Sequence, residues 1–271
     1  MRRSAYIFLV AVSVLSCTVS TFAQEKLWKE LTTKFSMLYQ QGRYSEAAKL
    51  AEEALTVAKK TFGPSHLIVA TSQNNLAELY RAQGKYSEAE PLFMGALAIL
   101  EKVLGKNHPH VATSLNNLAL LYYSQGRYAE AEHLYKRSLK IREKALGSEH
   151  PQVGQSLNNL AALYDSQGKY AQAEPLYEQS LTIWEKALGK SHPQVAASLN
   201  NLAELCRAQG KYSEAEPLFM GALAILEKAL GPEHPHVATV CENMVELYKK
   251  IGKKDEAERL EERARKIRSK Q

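Results

Sequence analysis

The feature that most constrains this chain is an internal repeat with a constant step of 42 residues. A glycine recurs at this step at Gly42, Gly84, Gly126, Gly168, Gly210 and Gly252, and a histidine recurs at His66, His108, His150, His192 and His234. A regular period of this length is typical of chains that stack one small structural unit many times. The repeat therefore predicts the fold more strongly than any local motif does.

Each repeat has the pattern of two helices, as the copy at 115–147 illustrates. The first helix is predicted from apolar residues at helical spacing, which are Leu115, Leu118, Ala119 and Tyr122. A second such stripe follows at Tyr128, Ala131, Leu134, Tyr135, Leu139 and Ile141. Gly126 separates the stripes, and glycine ends a helix in the left-handed conformation with least strain. One helix pair cannot bury both of its faces, so neighbouring pairs must stack.

These residues match the pattern of a known repeat. Leu118-Ala119, Tyr122, Gly126, Tyr128, Ala131, Tyr135 and Leu139 resemble the tetratricopeptide repeat (TPR). The 42-residue period, the Asn-Asn-Leu-Ala run, the Gln-Gly-Arg/Lys-Tyr turn, the Ala-Glu-Pro-Leu stretch and the His-Pro loop resemble the repeats of kinesin light chains and their bacterial relatives. The resemblance covers about Trp28 to the C-terminus. It implies an all-α, right-handed TPR-type α-solenoid of six antiparallel helix pairs, and it implies no motor role.

The repeats divide residues 24–271 into units at about 25–65, 66–107, 108–149, 150–191, 192–233 and 234–271. The first unit departs from the pattern at Lys34 and Phe35, and the last carries charged residues along its second helix, so both are predicted to be caps. Ser87 to Glu90 is predicted to be a capping box that opens a second helix, with Pro91 in the first turn.

Residues 1–23 differ in kind from the repeats. Arg2 and Arg3 precede an apolar run that is short for a membrane span, and Thr21-Phe22-Ala23 offers small residues for cleavage. The pattern predicts a secretory signal peptide, a mature chain that starts at Gln24 and is not inserted in a membrane, and export to the periplasm or the outside. A lipoprotein with lipidated Cys17 and an uncleaved anchor are the alternatives.

The remaining cysteines stand at positions that belong to the core in other repeats. Cys206 corresponds to Tyr122 and Cys241 to Leu115. These levels are separated by roughly 10 Å of helical rise, whereas a disulfide needs Cα atoms within about 7 Å. We therefore expect two buried thiols, with a disulfide as the less favoured alternative.

Neither composition nor motifs indicate catalysis or nucleic-acid binding. The net charge of +6 includes Arg2 and Arg3, and no basic stripe with interleaved aromatic residues is present. The chain contains no metalloprotease, nucleophile-elbow, phosphate-loop or paired-cysteine motif. The histidines occur once per linking loop, which favours a structural role beside the turn proline over a metal site. We expect no enzymatic activity, no cofactor and no metal.

The polar face of the first helices is the stronger functional signal. With the apolar stripe facing inward, a 100° step per residue places Asn116, Leu120 and Tyr123 on the opposite side. In a TPR superhelix that side lines the concave groove. The predicted partner-binding residues are Asn74, Glu78, Arg81, Asn116, Tyr123, Asn158, Asp165, Asn200, Glu204 and Arg207.

The row of asparagines is suited to binding a peptide backbone, because an amide side chain offers both hydrogen-bond donors and an acceptor. The resemblance to kinesin light chains implies the same use of helix-borne asparagines. The alternative is that the Asn-Asn pair is a spacer, partly hydrogen-bonded between neighbouring helices. We expect a non-catalytic scaffold that binds a peptide or protein partner in this groove. A structural component of an envelope assembly, which uses its convex face or its ends, is the alternative, and the oligomeric state stays open.

Overall fold

The computed structural model describes residues 22–270, and these residues are helical apart from short connections. They form twelve helices, which make up the six predicted antiparallel pairs. The helices are α1 (22–40), α2 (Tyr44–Phe62), α3 (Leu67–Ala82), α4 (Tyr86–Leu104), α5 (Pro109–Ser124), α6 (Tyr128–Leu146), α7 (Pro151–Ser166), α8 (Tyr170–Leu188), α9 (Pro193–Ala208), α10 (Tyr212–Leu230), α11 (Pro235–Ile251) and α12 (Lys254–Arg268).

The chain divides into two compact units that adjoin in sequence at Leu134 and Tyr135. The first unit contains α1 to α5 and the start of α6, and the second contains the rest of α6 and α7 to α12. Within each unit the first helices of successive pairs contact one another, as α3 and α5, α7 and α9, and α9 and α11 do. We call the solvent side of these first helices the groove face of each unit.

Two kinds of glycine turn join the helices, as predicted. Gly126 has a φ of +73°. The backbone N–H of the next residue, Arg127, donates a hydrogen bond to the carbonyl of Tyr122 at 2.8 Å. This is the Schellman arrangement, which ends a helix in one left-handed residue. Gly105 ends a second helix with φ 86° and ψ 154°, a region that side chains essentially exclude.

The repeating histidines are the N-caps of the first helices. In each of them Nδ1 accepts a hydrogen bond from the backbone N–H two residues later, at 3.2 Å. An N-cap side chain satisfies one of the donors that the first turn leaves without an intrahelical partner. The prediction of a structural role for these histidines is confirmed.

The predicted capping box at Ser87 is wrong. α4 begins at Tyr86 after Lys85 as the N-cap, so Ser87 already lies within the helix, where its hydroxyl donates to Glu88 Oε2 at 2.7 Å. The Schellman turn fixes this start, because the N–H of Lys85 bonds the carbonyl of Tyr80 at 2.8 Å. Pro91 consequently lies in the second turn of α4 rather than in the first.

The core follows the predicted stripes. Ala119 and Ala131 are fully buried, which agrees with small residues where helices approach closely, and Leu118 is 3% exposed. Cys206 and Cys241 are buried, unpaired thiols, as predicted, and burial raises the pKa of both. The cap prediction for the last helix also holds, since α12 buries only Ala257, Ala264 and Ile267.

Among residues 22–270, one charged residue lies inside the core. Arg142 is 5% exposed and occupies the position of Leu100 and Leu226 in other repeats. Its Nη1 donates to the carbonyl of Gln152 at 3.0 Å and to Ser156 Oγ at 2.8 Å. Its Nε is buried without a hydrogen-bond partner among the described residues, and burial lowers the pKa of the guanidinium.

The predicted leader, residues 1–23, lies outside the described residues except for Phe22 and Ala23, which belong to α1. Between residues 22 and 270, none of the helices combines the length and the apolar character that a membrane crossing requires.

Candidate peptide-binding groove

The asparagines of the second unit form a directed ladder. Nδ2 of Asn201 donates to Oδ1 of Asn158 at 3.0 Å, and Nδ2 of Asn243 donates to Oδ1 of Asn200 at 3.0 Å. In both bonds the asparagine at the second position of the pair donates to the first asparagine of the preceding repeat, and in the last repeat Glu242 takes the first position. The side-chain carbonyls of Asn158 and Asn200 therefore accept hydrogen bonds from the neighbouring first helices, which gives the Asn-Asn pair a structural role as well.

The predicted first asparagines are less accessible than an open surface position would be. Asn74, Asn158 and Asn200 are half-buried, and Asn116 is buried at 9% exposed. In the first unit Asn74 Oδ1 accepts a long hydrogen bond from Ser114 Oγ at 3.5 Å. The placement of Asn116 on the open surface of the groove is wrong, because only 9% of the residue is exposed.

The predicted charged residues of the second unit lie close together. Arg207 pairs with Glu204 through two hydrogen bonds, with Nε and Nη2 at 3.0 and 2.9 Å from the two carboxylate oxygens. Asp165 lies near this pair, and burial raises its pKa, helped by the charge of Glu204 and opposed by Arg207. Glu246 adds a further carboxylate from the last repeat, since its charge raises the pKa of Arg207. These side chains form one polar row across α7, α9 and α11.

The first unit has a corresponding pair. Arg81 donates to Glu78 from Nε at 3.0 Å and from Nη2 at 2.6 Å. Tyr39 of the first repeat donates from its hydroxyl to Glu78 at 3.3 Å, and burial and the Glu78 charge raise the pKa of this phenol. Tyr123 lies at the end of α5, where its ring centroid is 5.9 Å from that of Tyr128.

The sequence interpretation missed two contributions to this face. It did not identify Asn201 and Asn243 as ladder donors, although their positions directly after the first asparagine could have indicated a shared contact. It also passed over Tyr39, because the first helix of the first repeat departs from the pattern elsewhere.

The groove face is a hydrogen-bonding surface rather than a reactive one. Its arginines Arg81 and Arg207 are paired with Glu78 and Glu204, and its amides are neutral. In the described part of the chain no three histidine, cysteine or carboxylate side chains are grouped so as to hold a metal ion. Such a surface can bind extended polypeptide through many modest contacts.

Comparisons with known proteins agree with this architecture. The family model of the tetratricopeptide repeat matches at residues 36–102, 69–144, 110–186, 155–228 and 194–270. The chain is a tetratricopeptide repeat protein. TPR solenoids are typically non-catalytic and generally serve as protein-interaction scaffolds.

Similar solved structures specify the kind of repeat. A putative kinesin light chain from Podosopora anserina with nearly identical TPR-like repeats is 35% identical over 76% of this TPR protein and 97% of that chain, with a TM-score of 0.61. BtubC (BKLC) from P. vanneervenii is 27% identical over 84% of this protein and 91% of that chain, with a TM-score of 0.67. The repeats are thus kinesin-light-chain-like, as the sequence predicts.

A more distantly related structure resembles this protein in fold alone. The apo form of RapI is 18% identical over 90% of this TPR protein and 84% of that chain, with a TM-score of 0.68. The comparison with curated proteins found no match.

Proposed function

We propose that this TPR protein is a non-catalytic scaffold that binds a peptide segment or a partner protein on its groove face. The observation that carries the proposal is the direction of the asparagine ladder. Asn158 and Asn200 use their carbonyl oxygens within the ladder, and their Nδ2 groups have no acceptor among the described residues. Two N–H donors per asparagine are thus left for carbonyl groups of a bound chain.

The paired charges support the same function. Arg81 with Glu78 and Arg207 with Glu204 are held in fixed two-point geometry and are still partly exposed. A bound peptide meets a surface whose ion pairs are already formed, so less side-chain ordering accompanies binding. The groove therefore favours binding to the backbone of the peptide over selection of a peptide with one strongly charged sequence.

The test is an affinity pull-down from the envelope fraction of the source cell with a double variant, Asn158→Asp and Asn200→Asp. Aspartate keeps the ladder acceptor and removes the amide donors. We expect the variant to lose partners that the parent protein retains. Lys136→Gln, a change on an exposed position of a second helix, is the control. Retention of every partner by the aspartate variant would refute groove binding.

A structural role is the second candidate, and two exposed methionines favour it. Met94 and Met220 are 52% and 55% exposed on second helices, where the corresponding residues of other repeats include Glu52 and Glu178. Such residues fit a contact on the outer face. Met94→Glu with Met220→Glu should then dissociate an assembly in analytical ultracentrifugation while leaving groove partners bound.

We further propose that the chain is exported, with Gln24 as the mature N-terminus. Arg2 and Arg3, the apolar run and Thr21-Phe22-Ala23 support this proposal. Mass spectrometry of the native protein tests it. A lipid-modified Cys17 would replace it with a lipid-anchored form, and an intact Met1 would refute cleavage.

A further inference from the structure

The outer sides of α4 and α10 each carry an exposed apolar patch. In α4 the patch consists of Pro91, Met94, Gly95 and Ala98, and in the copied helix α10 it consists of Pro217, Met220, Gly221 and Ala224. Met94 and Met220 are 52% and 55% exposed. The proline and the alanine of each set are exposed as well, and the glycine is half-buried. We call each set of four residues a methionine patch.

The methionine patch distinguishes α4 and α10 from the other second helices. In those helices the position of Met94 holds an exposed charged residue, which is Glu52, Lys136, Glu178 or Glu262. A charged side chain is solvated by water at this position, whereas methionine presents a flexible apolar side chain there. Covering the methionine with another molecule removes apolar surface from water, which is favourable. The two patches are therefore candidates for a contact on the outer face.

The patch is complementary in shape to a second copy of itself. Pro91, Met94, Gly95 and Ala98 stand at positions i, i+3, i+4 and i+7 of one helix. Four residues with this spacing form a hole that receives one side chain of a facing helix. Three of the four are short, so they leave the hole open, and the fourth is a long side chain that can fill such a hole. In a two-fold symmetric pair of antiparallel helices, Met94 of each helix inserts into the hole of the other.

Charged residues at the two ends of the patch favour the same antiparallel direction. Glu88 lies in the first turn of α4 and Lys102 in the last turn, and both are exposed. Because the hole is centred between residues 94 and 95, residue 88 of one helix lies opposite residue 101 of an antiparallel partner, beside Lys102. Opposite charges therefore meet at both ends, whereas a parallel pair would bring each charge close to its own copy. In α10 Glu214 and Lys228 occupy the same two places.

We propose that a second copy of this chain covers the methionine patch, through antiparallel pairing of one patched helix with another. The methionine of each helix fills the hole of the other, and the glutamate at one end pairs with the lysine at the opposite end of its partner. Since α4 and α10 carry the same patch, each copy has two places for this contact. The inference goes beyond groove binding, and it names the partner of the outer face that the second candidate function leaves open.

The balance of charge argues against a lipid surface as the occupant of the patch. Helices that lie on membranes have lysines and arginines beside their apolar face. Each methionine patch instead has one acidic and one basic flank, which are Glu88 and Lys102 in α4. A second copy supplies the opposite charge at each of these ends, and an anionic lipid surface does so at only one.

Analytical ultracentrifugation of the parent protein and three variants tests the contact. One helix pair is smaller than a standard interface of about 1,600 Å², so we expect weak association, with a Kd on the order of 100 μM for each contact. The average mass of the parent should rise with concentration. Met94→Glu and Met220→Glu each leave one patch, so neither variant should exceed twice the monomer mass, and the double variant should stay monomeric. A parent that is monomeric at about 500 μM, or a double variant that associates like the parent, would overturn the proposal.

A charge exchange at low salt tests the antiparallel direction. Glu88→Lys with Glu214→Lys should weaken association at least about fivefold, because lysines then face lysines and low salt leaves the repulsion unscreened. Adding Lys102→Glu with Lys228→Glu should restore association to within about twofold of the parent, because opposite charges meet again. Association that the first change leaves unaltered, or that the second change fails to restore, would contradict antiparallel pairing.

The matched control for the charge exchange is Glu53→Lys with Glu178→Lys. It makes the same change in net charge at exposed positions of α2 and α8, which carry no methionine patch. We expect this control to associate like the parent. If it weakens association as much as Glu88→Lys with Glu214→Lys does, the effect comes from net charge and the pairing is refuted.

These outcomes are independent of groove binding, because the changed residues lie on second helices and the groove asparagines lie on first helices. If the variants associate as expected but Asn158→Asp with Asn200→Asp retains all partners in the pull-down, the pairing stands and groove binding is refuted. If that aspartate variant loses its partners but the parent is monomeric, groove binding stands and the pairing is overturned.

Discussion

Asn201 donates its side-chain amide to Oδ1 of Asn158, 43 residues earlier in the chain, across 3.0 Å. The same bond joins Asn243 to Asn200. The sequence difference of 43 rather than 42 means that, in both bonds, the second position of one repeat's asparagine pair meets the first asparagine of the preceding repeat. This offset sets the direction of these two amides, and so it decides which of their groups a partner can use.

The ladder bond is expected to contribute to stability. Asn201→Ala removes its donor and should lower the free energy of unfolding by about 0.5–1.5 kcal/mol, the usual net value of one such bond. Urea denaturation measures the change, and Asn201→Asp provides a comparison that also removes the donor. An unchanged unfolding midpoint for both variants would show that the bond adds nothing measurable.

The asparagines are also expected to act in binding. Asn158→Ala with Asn200→Ala should weaken binding of a pulled-down partner at least tenfold, because each lost contact costs about 0.5–1.5 kcal/mol and about 1.4 kcal/mol is a factor of ten. Since both side-chain carbonyls also accept ladder bonds, melting of this variant should also fall. Calorimetry measures the affinity. If the folded variant binds the partner with the affinity of the parent, the groove is not the site and the outer face becomes the candidate.

A core position gives the scale for these losses. Leu118 is 3% exposed at the contact between helices, so Leu118→Ala should destabilise by about 2–5 kcal/mol through lost burial and a residual cavity. Chemical denaturation beside Asn116→Ala tests the ranking. A larger loss of unfolding free energy for the asparagine variant would mean that Asn116 contributes more to stability than Leu118 does.

The buried arginine is expected to reduce stability. Arg142→Leu introduces the residue found at Leu100 and Leu226 and should stabilise the fold by about 1–4 kcal/mol, as removal of a poorly compensated buried charge does in other proteins. The reverse change, Leu100→Arg, should destabilise. Thermal melts of both variants check the prediction, and a lower melting temperature for Arg142→Leu would show that Gln152 and Ser156 compensate the charge fully.

Asp165 predicts a pH dependence. Burial and Glu204 raise the pKa of its carboxyl above the ordinary 3.8, so the ionised form costs stability in the folded state. Asp165→Asn should therefore stabilise the protein at pH 7, and the gain should disappear as pH falls through the raised pKa towards 3.8. Melts from pH 7 to pH 3 measure it, and a gain that persists at pH 3 would contradict the assignment.

The periodic features could be predicted because they depend on local chemistry. Gly126 must take a positive φ, and the apolar stripe through Leu118 must be buried, whatever the neighbouring repeats contain. The capping box failed because Ser87 also fits an N-cap pattern, whereas the preceding turn makes Lys85 the N-cap, so the helix begins at Tyr86 and not at Glu88.

The features that depend on neighbouring repeats could not be predicted. The exposure of Asn116 and the direction of the bond from Asn201 to Asn158 follow from helix packing, not from the spacing within one helix.

Helices α4 and α10 differ only at Val103 and Ala229, and this near-identity affects how the chain reaches its fold. Each helix carries the same docking surface, so a nascent chain can pair either one with the wrong preceding helix. Gln73 lies against Gly95, and Leu199 takes the corresponding place against Gly221. Neither contact can select between the copies, because both copies present the same glycine. Correct pairing therefore depends on the short connections Gln83–Lys85 and Gln209–Lys211, which keep each copy beside its own preceding helix during folding.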